Sequence, residues 1–204
     1  IVDAAQAGDA VQRYVGNLEL LAREIDSSQV RIEIGPIDLT ALAEEAAIRH
    51  QEGAAGRSLT LDFTPPNDQV WASGDRELVV RAFDNLLANA IQHAPRRSKI
   101  ELRVSVRGSE AYVSVLDEGA KIPPTLRASV ATYIGQGQTK NHPEGRYGRG
   151  LGLLGAAVAA RLTGGTLEIG EVDQRSSLGL VLPHLGDHES PRPSFAVVAA
   201  REPS

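Results

Sequence analysis

Two asparagines one helical turn apart are the residues of this chain whose type and spacing first suggest chemistry. From Arg81 to Ala94, Phe83, Leu86, Leu87, Ala90 and Ile91 recur at the spacing of one buried helix face, while Asn85 and Asn89 stand one above the other on another. Asparagine is an indifferent helix former. A pair of them is either a set of solvent-facing amides or the polar lining of a pocket, with amide oxygens able to ligate a hard cation. A second cluster, Asp117-Glu118-Gly119, ends an alternating apolar segment. Its carboxylate can accept a hydrogen bond from an amino group such as that of adenine, or it can be a turn aspartate in water. The third is Tyr147-Gly148-Arg149-Gly150-Leu151-Gly152-Leu153, where glycines let backbone approach a ligand and a helix start offers free N–H groups to phosphate. A plain helix-start turn has the same composition. No strand precedes these glycines, so they are not a dinucleotide fingerprint, and their spacing differs from the phosphate loop of nucleoside triphosphatases.

The elements that must position these residues follow from periodicity. Val11, Tyr14, Val15, Leu18, Leu21, Ala22 and Ile25 predict a helix with one narrow apolar seam, which packs either on the chain's own domain or in a helical hairpin or coiled coil. Val30, Ile32 and Ile34 alternate as a short strand stopped by Gly35-Pro36. Asp38 or Thr40 caps a second helix that Gly53 and Gly56 break. Leu59 to Phe63 and Val70 to Ala72 predict strands, and Asp75 caps the asparagine helix. Ile100 to Val106 and Ala111 to Val115 predict an antiparallel pair turning at Gly108. Pro123-Pro124 opens a short helix to Ile134, and residues 135–150 form a loop long enough to imply a function. A helix from Leu151 to Leu162 and two strands, Thr166 to Gly170 and Leu178 to Leu182, complete the pattern.

Composition narrows the function classes. A net charge of -5 over 204 residues argues against a nucleic-acid surface, which normally needs clustered excess Lys and Arg. The absence of Cys excludes disulfides and thiolate metal sites. No run approaches the roughly 20 apolar residues needed to span a bilayer. Because the first residue is Ile, the chain is expected to be a piece of a longer protein, and any membrane anchor is expected to lie outside it.

In their order and spacing, Asn85-Leu86-Leu87-Ala88-Asn89-Ala90, Asp117-x-Gly119 at a strand end, and Gly148-Arg149-Gly150-Leu151-Gly152-Leu153 after a glycine-rich lid resemble the ATP-binding domain of sensor histidine kinases. The resemblance runs from about Val11 to Leu185. It implies a two-layer α/β sandwich of the Bergerat type, a mixed sheet with three helices on one face that holds ATP under the lid. It also implies magnesium on Asn89, Asn85 lining the phosphate side, Asp117 on the adenine amino group, Gly119 against the base and His93 beside the nucleotide. Gly148, Gly150, Leu151 and Gly152 would bring the lid's end around the phosphates, with Lys140, Arg146 and Arg149 as the basic residues. Related chaperone, gyrase and mismatch-repair ATPases have a glutamate in place of Asn85 that activates water, and an amide is no general base at neutral pH. The chain therefore resembles a kinase module.

Three departures from the family pattern stand out. Lys121 replaces a second glycine, Gln92 stands where a phosphate-facing lysine is usual, and Tyr133-Ile134 replaces a Phe-containing box. Lys121 is expected to crowd the base. The resemblance divides the chain into residues 1–28, the end of a dimerisation and phosphotransfer helix, residues 29–185, the ATP-binding domain, and residues 186–204, a partly ordered tail. The acceptor histidine would lie on a helix preceding this chain. The implied function is transfer of the γ-phosphoryl group of Mg2+-bound ATP to that histidine and relay to a response regulator receiver domain. The implied assembly is a homodimer through the helical hairpin, in a cytoplasmic region of a protein anchored in the plasma membrane. The alternative is a degenerate module that signals by binding a partner with little or no catalysis.

Overall fold

The computed structural model describes residues 8, 15–22, 32–125, 127 and 151–186. Residues 15–22 are helical, α1. The remaining elements are β1 (Gly35–Asp38), α2 (Leu39–Gly56), β2 (Thr60–Phe63), β3 (Trp71–Gly74), α3 (Arg76–His93), β4 (Lys99–Arg107), β5 (Glu110–Asp117), α4 (Gly152–Leu162), β6 (Thr166–Val172) and β7 (Arg175–Pro183). Five strands form one mixed sheet in the order β2-β4-β5-β7-β6, and β1 pairs with β3 beside it. Among the described strands only β2 and β4 run parallel. A parallel step needs a crossover, and the crossover here contains α3, which is how the asparagine helix comes to lie on the sheet.

Strand alternation places the core on one face. Ile100, Leu102 and Val104 of β4, Val113 and Val115 of β5, and Leu178, Leu180 and Leu182 of β7 join Ala43 of α2, Phe83 and Leu87 of α3 and Val158 of α4 in one apolar cluster. The opposite face is charged. There Arg103 and Arg175 both donate to Glu101, at 2.5 and 2.8 Å, and Glu101 stands opposite the buried Leu116 in the β4–β5 register. Arg103 first, then Arg175, outweigh the cost of partial burial and hold the Glu101 carboxyl down at about 2.

Side-chain caps set the starts of α2 and α3. Asp38 accepts from Ala41 N at 3.0 Å, and Asp75 accepts from Glu77 N and Leu78 N at 3.0 and 3.2 Å. Thr163, just beyond α4, accepts from Asp75 N, and a Cβ on Gly74 would lie 2.8 Å from the same hydroxyl oxygen. The start of α3 is thus locked to the end of α4, and glycine is the residue that allows the approach.

Three expectations need correction. Ile32 to Ile34 lie in no strand, and β1 is Gly35–Asp38, where a stop was expected. Pairing with β3 alone makes β1 an edge on which Pro36 is tolerated, and Ile37 supplies the buried side chain. Gly53 does not break α2, because a helix interior tolerates one glycine for about 1 kcal/mol. The last two strands are longer than expected. They meet in a turn whose Asp173 and Gln174 both have positive φ, 51° and 62°, the geometry of a tight hairpin.

Candidate active site

Burial separates the two asparagines of α3. The helix buries Phe83, Leu86, Leu87, Ala90 and Ile91 as its periodicity predicts, and Asn85 with them. Asn85 is 5% exposed, so it is no solvent-facing amide. Its Oδ1 accepts from Asn17 Nδ2 at 3.0 Å and its Nδ2 donates to Asn17 Oδ1 at 2.8 Å. Asn89, one turn on, is half-buried, and its Nδ2 is the one buried side-chain N or O atom without a hydrogen-bond partner among the described residues. An unsatisfied buried polar atom costs about 1–3 kcal/mol. Half a turn of the amide exchanges its nitrogen and carbonyl oxygen, so either atom can be turned toward a ligand.

That arrangement suits magnesium better than a cation held by protein alone. No group of three or more His, Cys, Asp or Glu that could hold a metal ion occurs among the described residues. Magnesium takes one or two protein oxygens and completes its shell with phosphate and water. A single amide oxygen from Asn89 fits that requirement.

Asp117 ends β5 and is fully buried. Its Oδ1 accepts from Gly119 N at 2.7 Å, which folds the chain back on itself and holds Gly119 close to the strand end. The carboxylate is therefore no exposed turn aspartate. Gly152 opens α4, and a Cβ added to it would lie 3.9 Å from the carbonyl oxygen of Asn85. The first turn of α4 thus abuts α3 at the asparagine, bringing the unsatisfied N–H groups of a helix start beside it. Leu151 precedes that turn without capping it, and His93 closes α3 as its last residue. Structure thus gathers Asn85, Leu151 and Gly152 where α3 meets α4, with Asn89 and His93 further along α3 and Asp117 and Gly119 at the end of β5. Lys140, Arg146, Gly148, Arg149 and Gly150 lie outside the described residues, as do Tyr133 and Ile134.

Lys121 does not behave as expected. It is not among the described residues with positive φ, so no backbone strain attaches to it. Its Nζ lies 2.9 Å from Glu171 Oε2 of β6, and Arg127 donates to the other oxygen of the same carboxylate at 2.7 Å and to Ile122 O at 3.0 Å. Lys121 holds the Glu171 carboxyl below its usual range, with Arg127 adding to the effect. The lysine is directed to a partner on β6, and crowding by a strained backbone falls away. Gln92 is exposed.

Periodicity did not single out Asn17 or Glu171. The docked face of α1 carries Asn17, Leu20 and Leu21, with Leu20 fully buried. Val15 and Leu18 of the expected seam are 48% and 47% exposed. One signal for Asn17 existed in the sequence. Gly155 interrupts an alanine-rich helix, and a Cβ there would lie 2.2 Å from Asn17 Oδ1, so the glycine makes room for a polar neighbour.

Residues 74–186 match the family described as histidine kinase-, DNA gyrase B- and HSP90-like ATPases. The probable sensor histidine kinase TcrY of Mycobacterium tuberculosis is 29% identical over 180 residues, covering 88% of this chain and 37% of the relative. The sensor-like histidine kinase SenX3 of Mycobacterium tuberculosis is 27% identical over 206 residues, covering 100% and 48%. The chain thus spans less than half the length of each. Among solved structures, the catalytic domain of histidine kinase ThkA superposes with a TM-score of 0.63 at 20% identity, covering 74% of this chain and 97% of that domain. Matching over more than half its length, with the mixed sheet and its helices arranged as in such a catalytic domain, the chain belongs to the family of histidine kinase-, DNA gyrase B- and HSP90-like ATPases.

Proposed function

We propose that the region where α3 meets α4 and the end of β5 binds ATP with magnesium, and that this chain is the catalytic part of a sensor histidine kinase. The observation that carries the reading is the buried, partnerless amide atom of Asn89, one turn from Asn85. Asn89 would hold the ion, Asp117 the adenine amino group, and the first turn of α4 the phosphates, with Gly148, Gly150 and the basic residues Lys140, Arg146 and Arg149 of the lid completing the enclosure. Magnesium, when bound, compensates the charge of the triphosphate.

An amide at position 85 leaves water without a general base there, so hydrolysis gains no help from that position. Productive transfer then needs a stronger nucleophile delivered in line with the γ-phosphorus, an imidazole nitrogen. The new N–P bond forms as the bond to the bridging oxygen breaks and ADP departs. The imidazole would come from a histidine outside this chain, and the phosphoryl group would pass on to an aspartate of a response regulator. Dimerisation through a helical hairpin and anchoring in a membrane belong to the longer protein; among the described residues no helix is long and apolar enough to cross a membrane.

The binding-only alternative drew support from Lys121 as an obstruction, and its pairing with Glu171 weakens that support. Titration calorimetry with ATP, with and without magnesium, tests the reading. Saturable, magnesium-dependent heat is expected, and its absence would overturn the assignment of the site.

A further inference from the structure

Asn17 is wedged between the two helices that would hold the triphosphate. On one side its amide exchanges two hydrogen bonds with Asn85 of α3. On the other it fills the space a side chain at Gly155 would need in the opening turns of α4. Asn17 is 5% exposed, and Leu20 beside it is fully buried in the domain core. Arg81, one turn before Asn85, reaches the carbonyl oxygen of Gly16 at 3.4 Å while its other nitrogen is held by Glu77 at 2.9 Å. Helix α1 therefore does more than rest on a surface. It engages α3 at two successive turns and uses both polar atoms of Asn85.

We propose that α1 is a latch on the nucleotide site, and that its docking through Asn17 competes with nucleotide for Asn85. This rests on the reading of the site as nucleotide-binding. The chemistry favours a reversible latch. While docked, each amide donates one hydrogen bond to the other and accepts one from it, yet each can exchange its partner for water or a phosphate oxygen at small net cost, because hydrogen bonds are traded rather than lost. Leucine at position 17 would hold the helix by burial alone and could offer nothing to Asn85. Coupling of this kind is reciprocal: whatever lifts α1 raises nucleotide affinity, and nucleotide in turn lifts α1. Movement of the segment before this domain would thereby reach α3 directly.

Calorimetric titration with magnesium and ATP compares the unaltered chain with Asn17→Ala, and repeats the comparison in the background of Asn85→Ala. Asn17→Ala is expected to tighten binding about fivefold where Asn85 is present and to change it by less than about twofold where Asn85 is alanine. Hydrogen exchange in residues 15–22 should quicken when ATP is added to the unaltered chain. Unchanged ATP affinity in Asn17→Ala, or exchange in residues 15–22 that ATP slows, would overturn the latch while leaving the nucleotide site intact. Failure of both the unaltered chain and Asn17→Ala to bind ATP would instead overturn the nucleotide reading and the latch with it.

Discussion

Replacing Asp117 by asparagine isolates the proposed contact to the adenine amino group. Asp117 is fully buried at the end of β5 and already accepts a hydrogen bond of 2.7 Å from Gly119 N. Asparagine has nearly the same shape and keeps a carbonyl oxygen for that bond, so Asp117→Asn should leave the turn in place. What changes is the charged acceptor. A hydrogen bond to a charged group contributes about 1.5–3 kcal/mol, so ATP should bind about 10- to 100-fold more weakly. Inosine triphosphate supplies the control, since it has a carbonyl oxygen in place of the amino group. The unaltered chain should prefer ATP, and Asp117→Asn should bring the two nucleotides within about threefold of each other. Both are measured by calorimetric titration, with the melting temperature confirming that the variant is folded. Equal weakening of ATP and inosine triphosphate would refute the base contact and leave Asp117 as a structural residue of the turn.

Further outcomes follow from the same structure. Asn89→Ala should abolish the magnesium-dependent part of ATP binding while leaving any metal-free affinity, and titrations in magnesium and in chelator read the two parts separately. Lys121→Gly should change ATP affinity by less than about twofold, because the side chain is engaged with Glu171 and solvent-exposed ion pairs contribute little; a severalfold gain would restore the crowding reading. Incubation of this chain alone with radiolabelled ATP should leave no acid-labile phosphate on it, and labelling would show that an acceptor lies within these residues. Glu101→Gln should cost about 1 kcal/mol of stability at pH 7, since the fall of its pKa from 4.5 to about 2 corresponds to roughly 3 kcal/mol before solvent screening. A depressed carboxyl stabilises the fold above its unfolded pKa, so the difference in urea midpoint between the two proteins should shrink as pH falls from 5 towards 2. A difference independent of pH would rule out the ion network as its cause.

The fold was legible wherever one residue's side-chain class was enough to place it. Strict alternation from Ile100 to Val106 and from Ala111 to Val115 marks the buried face of a strand whatever its neighbours are, and β4 and β5 follow it with the expected turn. Asp75 needs only the backbone two and three residues ahead of it to cap α3. β1 was misplaced for the converse reason. Gly35-Pro36 reads as a stop in isolation, and only the presence of β3, with Pro36 opposite Ser73, makes it the start of an edge strand. Likewise Val15 and Leu18 have the spacing of a buried seam, yet the domain presents a polar notch that selects Asn17 and Leu20 instead.

Site residues divide along the same line. Asn85, Asn89 and Asp117 could be singled out because each sits at a fixed place within one element, and the structure buries Asn85 and Asp117 and half-buries Asn89 where a solvent-facing reading would have exposed them. Asn17 and Glu171 could not, because what matters about each is a polar partner far away in sequence: Asn17 meets Asn85 across 68 residues, and Glu171 on β6 draws Lys121 to itself. Apolar contacts are forgiving, since any side chain of suitable volume completes them. A buried amide is not, because it is stable only against a group that returns both its hydrogen bonds. Gly155 shows how such a partner leaves a trace all the same. Gly53 inside α2 has open space in place of its missing side chain and is merely tolerated, whereas at Gly155 the amide of Asn17 occupies that place, so glycine there is required.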